Sequence, residues 1–238
     1  MAEVSAPRRR RAVRGAGDLL RDEILDATTD LVFETGNSAK SVSIRAVAQR
    51  VGVTPPSIYL DFDDKDALLD AVCARYFEKL DEEMQRAATG QTSTLEVLRA
   101  QGRAYIRFAI DTPQLYRIAT MGESKPGSGS DAAVASSAFT HMRASVQALM
   151  DEGIYAPGDA TDVALELWTA AHGVAALMIA KPHLPFGDVE EFTDRVMGAL
   201  CCGQIILGRV PADATPEETV GWLAGQRPAP GSGEGTQR

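Results

Sequence analysis

Apolar residues recur along this chain at intervals of three and four, and no segment alternates apolar with polar residues in the way a half-buried strand does. Residues 1–17 are small, basic and unpatterned and read as a flexible arm. Asp18 then opens a helical pattern with Leu20, Ile24, Ala27, Thr28 and Leu31 on one side, and Gly36 is placed to close it. Ser43 can cap a second helix whose apolar face is Ile44, Val47 and Ala48, and Gly52 supplies the permissive backbone of a sharp turn. Thr54 is an N-cap candidate for a third, with Pro55 at a position where a missing N–H costs nothing. A long helix follows Asp63 and Asp64, whose charges suit its dipole, and carries Leu68, Leu69, Val72, Phe77, Leu80 and Met84 to about Ala88. Further helical patterns lie at about 94–111, 113–121, 132–152, 160–180 and 189–208. They are separated by Pro113, the KPGSGS stretch at 125–130, Pro157-Gly158, and Pro182 through Gly187. The expected fold is all-α with about nine helices. From Pro211 onward Pro, Gly, Ala, Thr and Glu dominate, so residues 211–238 are expected to be mostly disordered.

The segment SIRAVAQRVGVTPPSIYLDFDDK at 43–65 carries most of the functional signal. Two short helices held across a Gly-centred turn make a helix-turn-helix unit, whose second helix can lie in the DNA major groove. The net charge of −9 argues against a DNA binder until its distribution is read. Residues 1–65 balance ten Lys/Arg against ten Asp/Glu, so the whole acidic excess lies after residue 65. Arg8 to Arg11 and Arg14, then Lys40, Arg45 and Arg50, place positive charge where phosphates could meet it.

Hydrophobic residues make up 45% of the chain, enough for a packed core, and no run approaches the roughly 18–20 apolar residues of a membrane span. The basic N-terminus has no apolar stretch after it, unlike a secretory signal. Three cysteines do not make a disulfide framework. A soluble cytoplasmic protein with no membrane partner is expected.

With these residues in order (a helix ending at Gly36, SIRAVAQRVGVTPPSIYLDF, then DDKDALLDAV and an all-helical remainder), the chain resembles the tetracycline-repressor (TetR) family of bacterial regulators over about residues 20–75. The run LWTAAHGVAALM at 167–178 also resembles the subset with a Trp…His-Gly motif in the C-terminal domain. The resemblance implies a homodimer in which each subunit has a three-helix DNA-binding head (18–65), a long fourth helix, and a helical effector-binding and dimerising body (66–210). It further implies a ligand-responsive regulator, usually a repressor, that binds a palindromic operator in double-stranded DNA and is released by an unknown small apolar effector.

Position by position, the resemblance makes Thr54 through Leu60 the reading helix. Ser43, Tyr59 and Lys65 would contact phosphates, Arg45 a phosphate or base edge, and Pro55, Pro56, Ser57 and Leu60 would face the groove. Asp61, Asp63 and Asp64 beside that zone depart from the family pattern. The reading helix also offers no Arg, Asn or Gln for paired base contacts, which shifts specificity toward Arg45, apolar contacts and DNA shape.

In the body, Tyr105, Phe108, Tyr116, Met121, Phe139, Met142, Trp168 and His172 are the candidate ligand-contacting residues, with Ile118, Met150, Leu177 and Met178 nearby. A plain helical core explains each of them as well. The segments 160–180 and 189–208 are apolar on more than one side and rich in small residues, which makes them the dimer candidates.

Catalysis, a cofactor and a metal are not expected. His141, His172 and His183 lack metal-site spacing, Ser136 and Ser137 lack the glycines of a nucleophile elbow, and GSGS at 127–130 lacks the lysine of a phosphate loop. Two alternatives stay open: redox sensing through Cys201 and Cys202, and a helical adaptor that does not bind DNA.

Overall fold

The computed structural model describes residues 16–34, 42–121, 136–211 and 213–226. Its elements in chain order are α1 (Ala16–Glu34), α2 (Ile44–Val51), α3 (Pro55–Ile58), α4 (Lys65–Ala88), α5 (Thr94–Asp111), α6 (Pro113–Thr120), α7 (Ser137–Asp151), α8 (Ala160–Ala180), α9 (Val189–Leu207) and α10 (Pro216–Gly225). No strand occurs among the described residues, as the three-to-four residue periodicity requires.

Each predicted helix forms where its apolar stripe lies, and its ends follow local chemistry. Ser43, Asp64, Ser93, Ser136, Asp159 and Asp188 each accept a backbone N–H at the start of a helix, satisfying donors that no preceding turn can use. Two readings fall on residues that are not described, and three change. Gly36, the expected stop of α1, and the KPGSGS stretch lie outside the described residues. The reading helix is a single turn, Pro55–Ile58; the chain then bends so that Asp61 and Phe62 both donate to the Ile58 carbonyl. The tail is not wholly irregular, because Thr215 and Glu218 form a reciprocal capping box that starts α10, a helix with no buried residue. Finally, α8 is long and apolar enough to cross a membrane by length and composition. It packs against α5, α7 and α9 and buries Ala160, Ala164, Leu167, Ala171, Ala175 and Met178.

Two apolar cores share one helix. The head core gathers Ile24, Leu25, Val32, Val47, Ala48, Ile58 and Phe62 with Leu68 and Val72 from the start of α4. The body core takes Tyr76, Phe77, Leu80 and Met84 from the rest of α4 and packs them against α5, α6, α7, α8 and α9. Each fully buried side chain of this size contributes about 1.5–3 kcal/mol. Leu115 and Ile118 of α6 pack against both cores, and Arg75 on α4 reaches Asp26 on α1 at 2.8 Å. At about 1.5 Å per residue, α4 is a rod of about 36 Å from the head into the body.

Candidate DNA-reading face and effector cavity

The head presents a narrow face built by α2, the turn and α3. Gly52 takes φ +78°, a left-handed conformation, and its N–H closes the helix on the Ala48 carbonyl, so α2 stops there and α3 departs at an angle. Ile58 and Phe62 are buried beneath this turn and fix it. On the outside, Tyr59 is 51% and Leu60 85% exposed; a leucine left so open is placed for an apolar contact rather than for stability. Thr54, Pro56, Ser43 and Arg45 are exposed, while Pro55, Ser57 and Lys65 are half-buried.

Hydrogen bonds decide which groups on this face remain available. The Ser43 hydroxyl accepts from the Ala46 N–H at 3.2 Å, which leaves its own proton to donate. Thr54 has the extended backbone of an N-cap but does not cap through its side chain; its hydroxyl pairs with that of Ser57 at 3.0 Å. One of those two protons is therefore used within the pair. Asp64 accepts from the Ala67 N–H at 2.7 Å, so one of the three acids beside the phosphate zone serves as the cap of α4. The basic surface read from the sequence is smaller than expected. Arg50 turns back to α1, 2.6 Å from Glu34 and 4.0 Å from Asp30, and the Arg50 guanidinium holds the Glu34 carboxyl below the usual carboxylate range. Arg21 lies 4.5 Å over the Phe62 ring. Arg45 has no ion pair among the described residues.

The body holds an apolar cavity between α4, α5, α7, α8 and α9, closed down to about 20 Å³. That is room for about one water molecule. Of the candidate ligand residues, Tyr105, Phe139, Met142 and Trp168 line it. Four do not: Tyr116 and His172 form a layer behind the wall, Phe108 faces a separate outer groove, and Met121 is 52% exposed at the end of α6. The sequence reading missed Phe77, Leu80 and Met84 on α4, Leu98 and Gly102 on α5, Leu167 and Ala171 on α8, and Met197 on α9. An isolated glycine inside a helix was the available signal: a Cβ at Gly102 would collide with the Met197 thioether methyl, so Gly102 is what lets α9 insert that side chain.

Behind the cavity, the Tyr116 hydroxyl donates to the His172 carbonyl at 3.1 Å and sits 2.8 Å from His172 Nδ1. A carbonyl can only accept, so the single phenolic proton belongs there, and Nδ1–H donates to the Tyr116 oxygen. The Tyr105 hydroxyl is a second, longer contact of the same nitrogen at 3.3 Å. Burial holds His172 below the ordinary histidine value and pushes the Tyr116 phenol up to about 12. Trp168 lies tilted against His172 with ring centroids 5.6 Å apart, and Phe139 meets Trp168 edge-on at 6.4 Å.

Cys201 is buried, its thiol pushed up to about 11 by desolvation, and Cys202 is exposed on the same helix. A thiol so far from ionisation is a poor nucleophile, so nothing here favours redox sensing over packing. α9 buries only Thr193, Met197 and Cys201, and the outer surface of α8 and α9 exposes Leu177, Val189 and Leu207 alongside Glu166, Glu190, Glu191 and Arg195.

Two family models match this chain: "Bacterial regulatory proteins, tetR family" over residues 24–72, and "Tetracyclin repressor-like, C-terminal domain" over residues 98–200. An uncharacterized HTH-type transcriptional regulator, YobS of Bacillus subtilis (strain 168), is 27% identical over 103 residues, 43% of this chain and 52% of that protein. The chain thus spans about half the length of this curated relative. A protein of unknown function from Rhodococcus sp. RHA1 superposes with a TM-score of 0.67 at 25% identity, covering 78% of this chain and 95% of that one. The fold is also that of the regulator FadR from Bacillus subtilis, solved in complex with stearoyl-CoA, with a TM-score of 0.63 at 14% identity over 76% of this chain and 98% of that one. The two matched segments are the head and most of the body, and together they place the chain in the TetR family of bacterial regulatory proteins.

Proposed function

We propose that this protein is a repressor that binds a palindromic operator as a homodimer and releases it when a small apolar effector occupies the body. The observation that carries the reading is the shared helix α4. Leu68 and Val72 fasten it into the head, while Phe77, Leu80 and Met84 on the same rod line the cavity. An effector that opens the cavity has to displace these side chains, and a rod of this length converts a tilt at one end into a change in head separation at the other. The shift is bounded by the effector's preference for the displaced state.

In this reading the head places Tyr59, Lys65 and Ser43 on phosphates, and Arg45 on a phosphate or base edge. Thr54, Pro55, Pro56, Ser57 and Leu60 face the groove. The outer surface of α8 and α9 is the dimer seam, which would set two heads on a two-fold axis. Such a protein acts where the genome lies, in the cytoplasm. The combination of Trp168, His172 and Gly173 fits the subset with a Trp…His-Gly motif, with His172 as a wall-positioning residue rather than a direct ligand contact.

The test is a gel-shift or anisotropy titration on the DNA upstream of the gene, with light scattering on the same preparation. Tyr59→Phe and Lys65→Ala each remove one phosphate contact and should weaken binding uniformly across operator variants while the folded state persists. Unchanged affinity in both variants would overturn the assigned contacts. A monomer at micromolar concentration would overturn the dimer seam.

A further inference from the structure

The cavity lining is mostly apolar and soft, with Leu80, Met84, Leu98, Met142 and Met197. Tyr105, Trp168 and Ser136 also line it, and Tyr116 and His172 stand behind Tyr105. Among the described residues, no Lys, Arg, Asp, Glu or His lines the cavity. His172, the titratable group closest behind the wall, is kept toward its neutral form by burial.

The His172 ring donates through Nδ1, so Tyr105 is an acceptor in that contact, and its own proton goes toward the Tyr116 oxygen, a partner that a ligand oxygen can replace. A second hydroxyl belongs to the same neighbourhood. Tyr76, outside the cavity lining, is 2% exposed and its hydroxyl has no hydrogen-bond partner within bonding geometry among the described residues; it lies toward Thr112, and Tyr105 and Tyr116 are close enough to act on it electrostatically. An orphaned buried hydroxyl costs about 1–3 kcal/mol and is a feature to be explained.

From this wall we infer the class of the effector: an uncharged amphiphile, an apolar chain with one hydrogen-bond-accepting oxygen such as a ketone, ester or alcohol. The inference rests on the reading of the body as the effector-binding domain. The oxygen takes the Tyr105 proton, and the chain takes the space now filled by the thioethers of Met84, Met142 and Met197. Methionines are suited to yield in this way because three soft torsions let them repack at little cost. A carboxylate or an ammonium would leave water for a lining with no counter-charge among the described residues, which is prohibitive for a buried ion.

The experiment uses the full-length protein and five ten-carbon probes: 2-decanone, 1-decanol, decanoate, decylammonium and n-decane. Binding is measured by thermal shift and fluorescence, and operator release by anisotropy. The ketone and the alcohol should bind at least tenfold more tightly than either ion and more tightly than the alkane. Tyr105→Phe should weaken the ketone about tenfold, the worth of one hydrogen bond, with the alkane unchanged. Gly102→Ala, which drives the Met197 methyl into the cavity, should weaken all three neutral probes. Equal or tighter binding of an ion, no difference between ketone and alkane, an inert Tyr105→Phe, or no binding by any probe would each overturn the class. The two readings fail separately. Operator release by decanoate keeps effector gating and removes the uncharged class, whereas Tyr105-dependent ketone binding without release keeps the class and removes gating.

Discussion

Replacing Tyr116 with phenylalanine removes one hydroxyl where α5, α6 and α8 meet. The side chain is fully buried, and its ring lies 5.3 Å from that of His172, so phenylalanine keeps the shape and leaves no cavity. What is lost is the donation to the His172 carbonyl at 3.1 Å and the acceptor for Nδ1–H at 2.8 Å. A neutral hydrogen bond contributes about 0.5–1.5 kcal/mol net, and a buried group left without a partner costs about 1–3 kcal/mol. Two features moderate the second figure. Tyr105 remains 3.3 Å from Nδ1 as a substitute acceptor, and His172 is half-buried, so water can reach the ring. The expected loss is therefore about 1–2 kcal/mol, which for a chain of this size lowers Tm by about 2–8 °C. Urea unfolding followed by far-UV circular dichroism would measure it, with an unchanged m-value as the sign that only stability moved. A variant as stable as the parent would refute the hydrogen-bond assignment. A loss beyond about 4 kcal/mol would show that the site is held by packing the structure does not reveal.

His172 itself should give the protein an acid sensitivity. Its folded value lies below the ordinary 6.5, so as pH falls through that value the unfolded chain takes up a proton that the native state resists. The stability tied to the neutral ring is complete above 6.5 and is lost progressively as pH falls toward the depressed folded value. Between about pH 7.5 and 5.5 the parent should lose more stability than His172→Gln, and equal slopes would remove burial as the cause. In the head, Gly52→Ala places a side chain at φ +78° where a Cβ meets nothing within 4 Å, so the penalty is purely conformational. It should be about 1–2 kcal/mol in denaturant unfolding, with weakened operator binding; a neutral substitution would mean the turn can relax.

The helices were legible because each one announces itself locally, by an apolar stripe and by Ser, Asp, Gly or Pro at its ends. Even α10 carried such a signature: Thr215-Pro216-Glu217-Glu218 is a capping-box sequence, outweighed by the Gly and Pro around it. What periodicity cannot report is which neighbour a face meets. Arg50 reads as a free cation beside the reading helix, yet acids sixteen and twenty residues earlier on α1 claim it once the head folds. For the same reason Tyr116 and His172 were grouped with Trp168, although only Trp168 reaches the cavity. The walls contributed by α4 and α9 were missed because a connecting rod and a seam helix give no local sign that they also enclose space.

Met197 makes that enclosure consequential. It leaves α9, crosses Gly102 on α5 and lines the cavity together with Leu80 and Met84 of α4. A ligand entering here can displace flexible thioethers at less cost than a helix. A short ligand can therefore be absorbed by new methionine rotamers, with little free energy left to tilt α4. A ligand longer than the thioethers can vacate must push on the rods themselves. Binding and release should then separate by chain length among neutral ketones. 2-Hexanone should stabilise the protein and leave the operator bound, whereas 2-decanone should do both. Met197→Ala, which vacates the space in advance, should raise the chain length at which release begins. Release that tracks affinity alone across the series, with no such threshold, would show that the methionines are not a buffer between cavity and head.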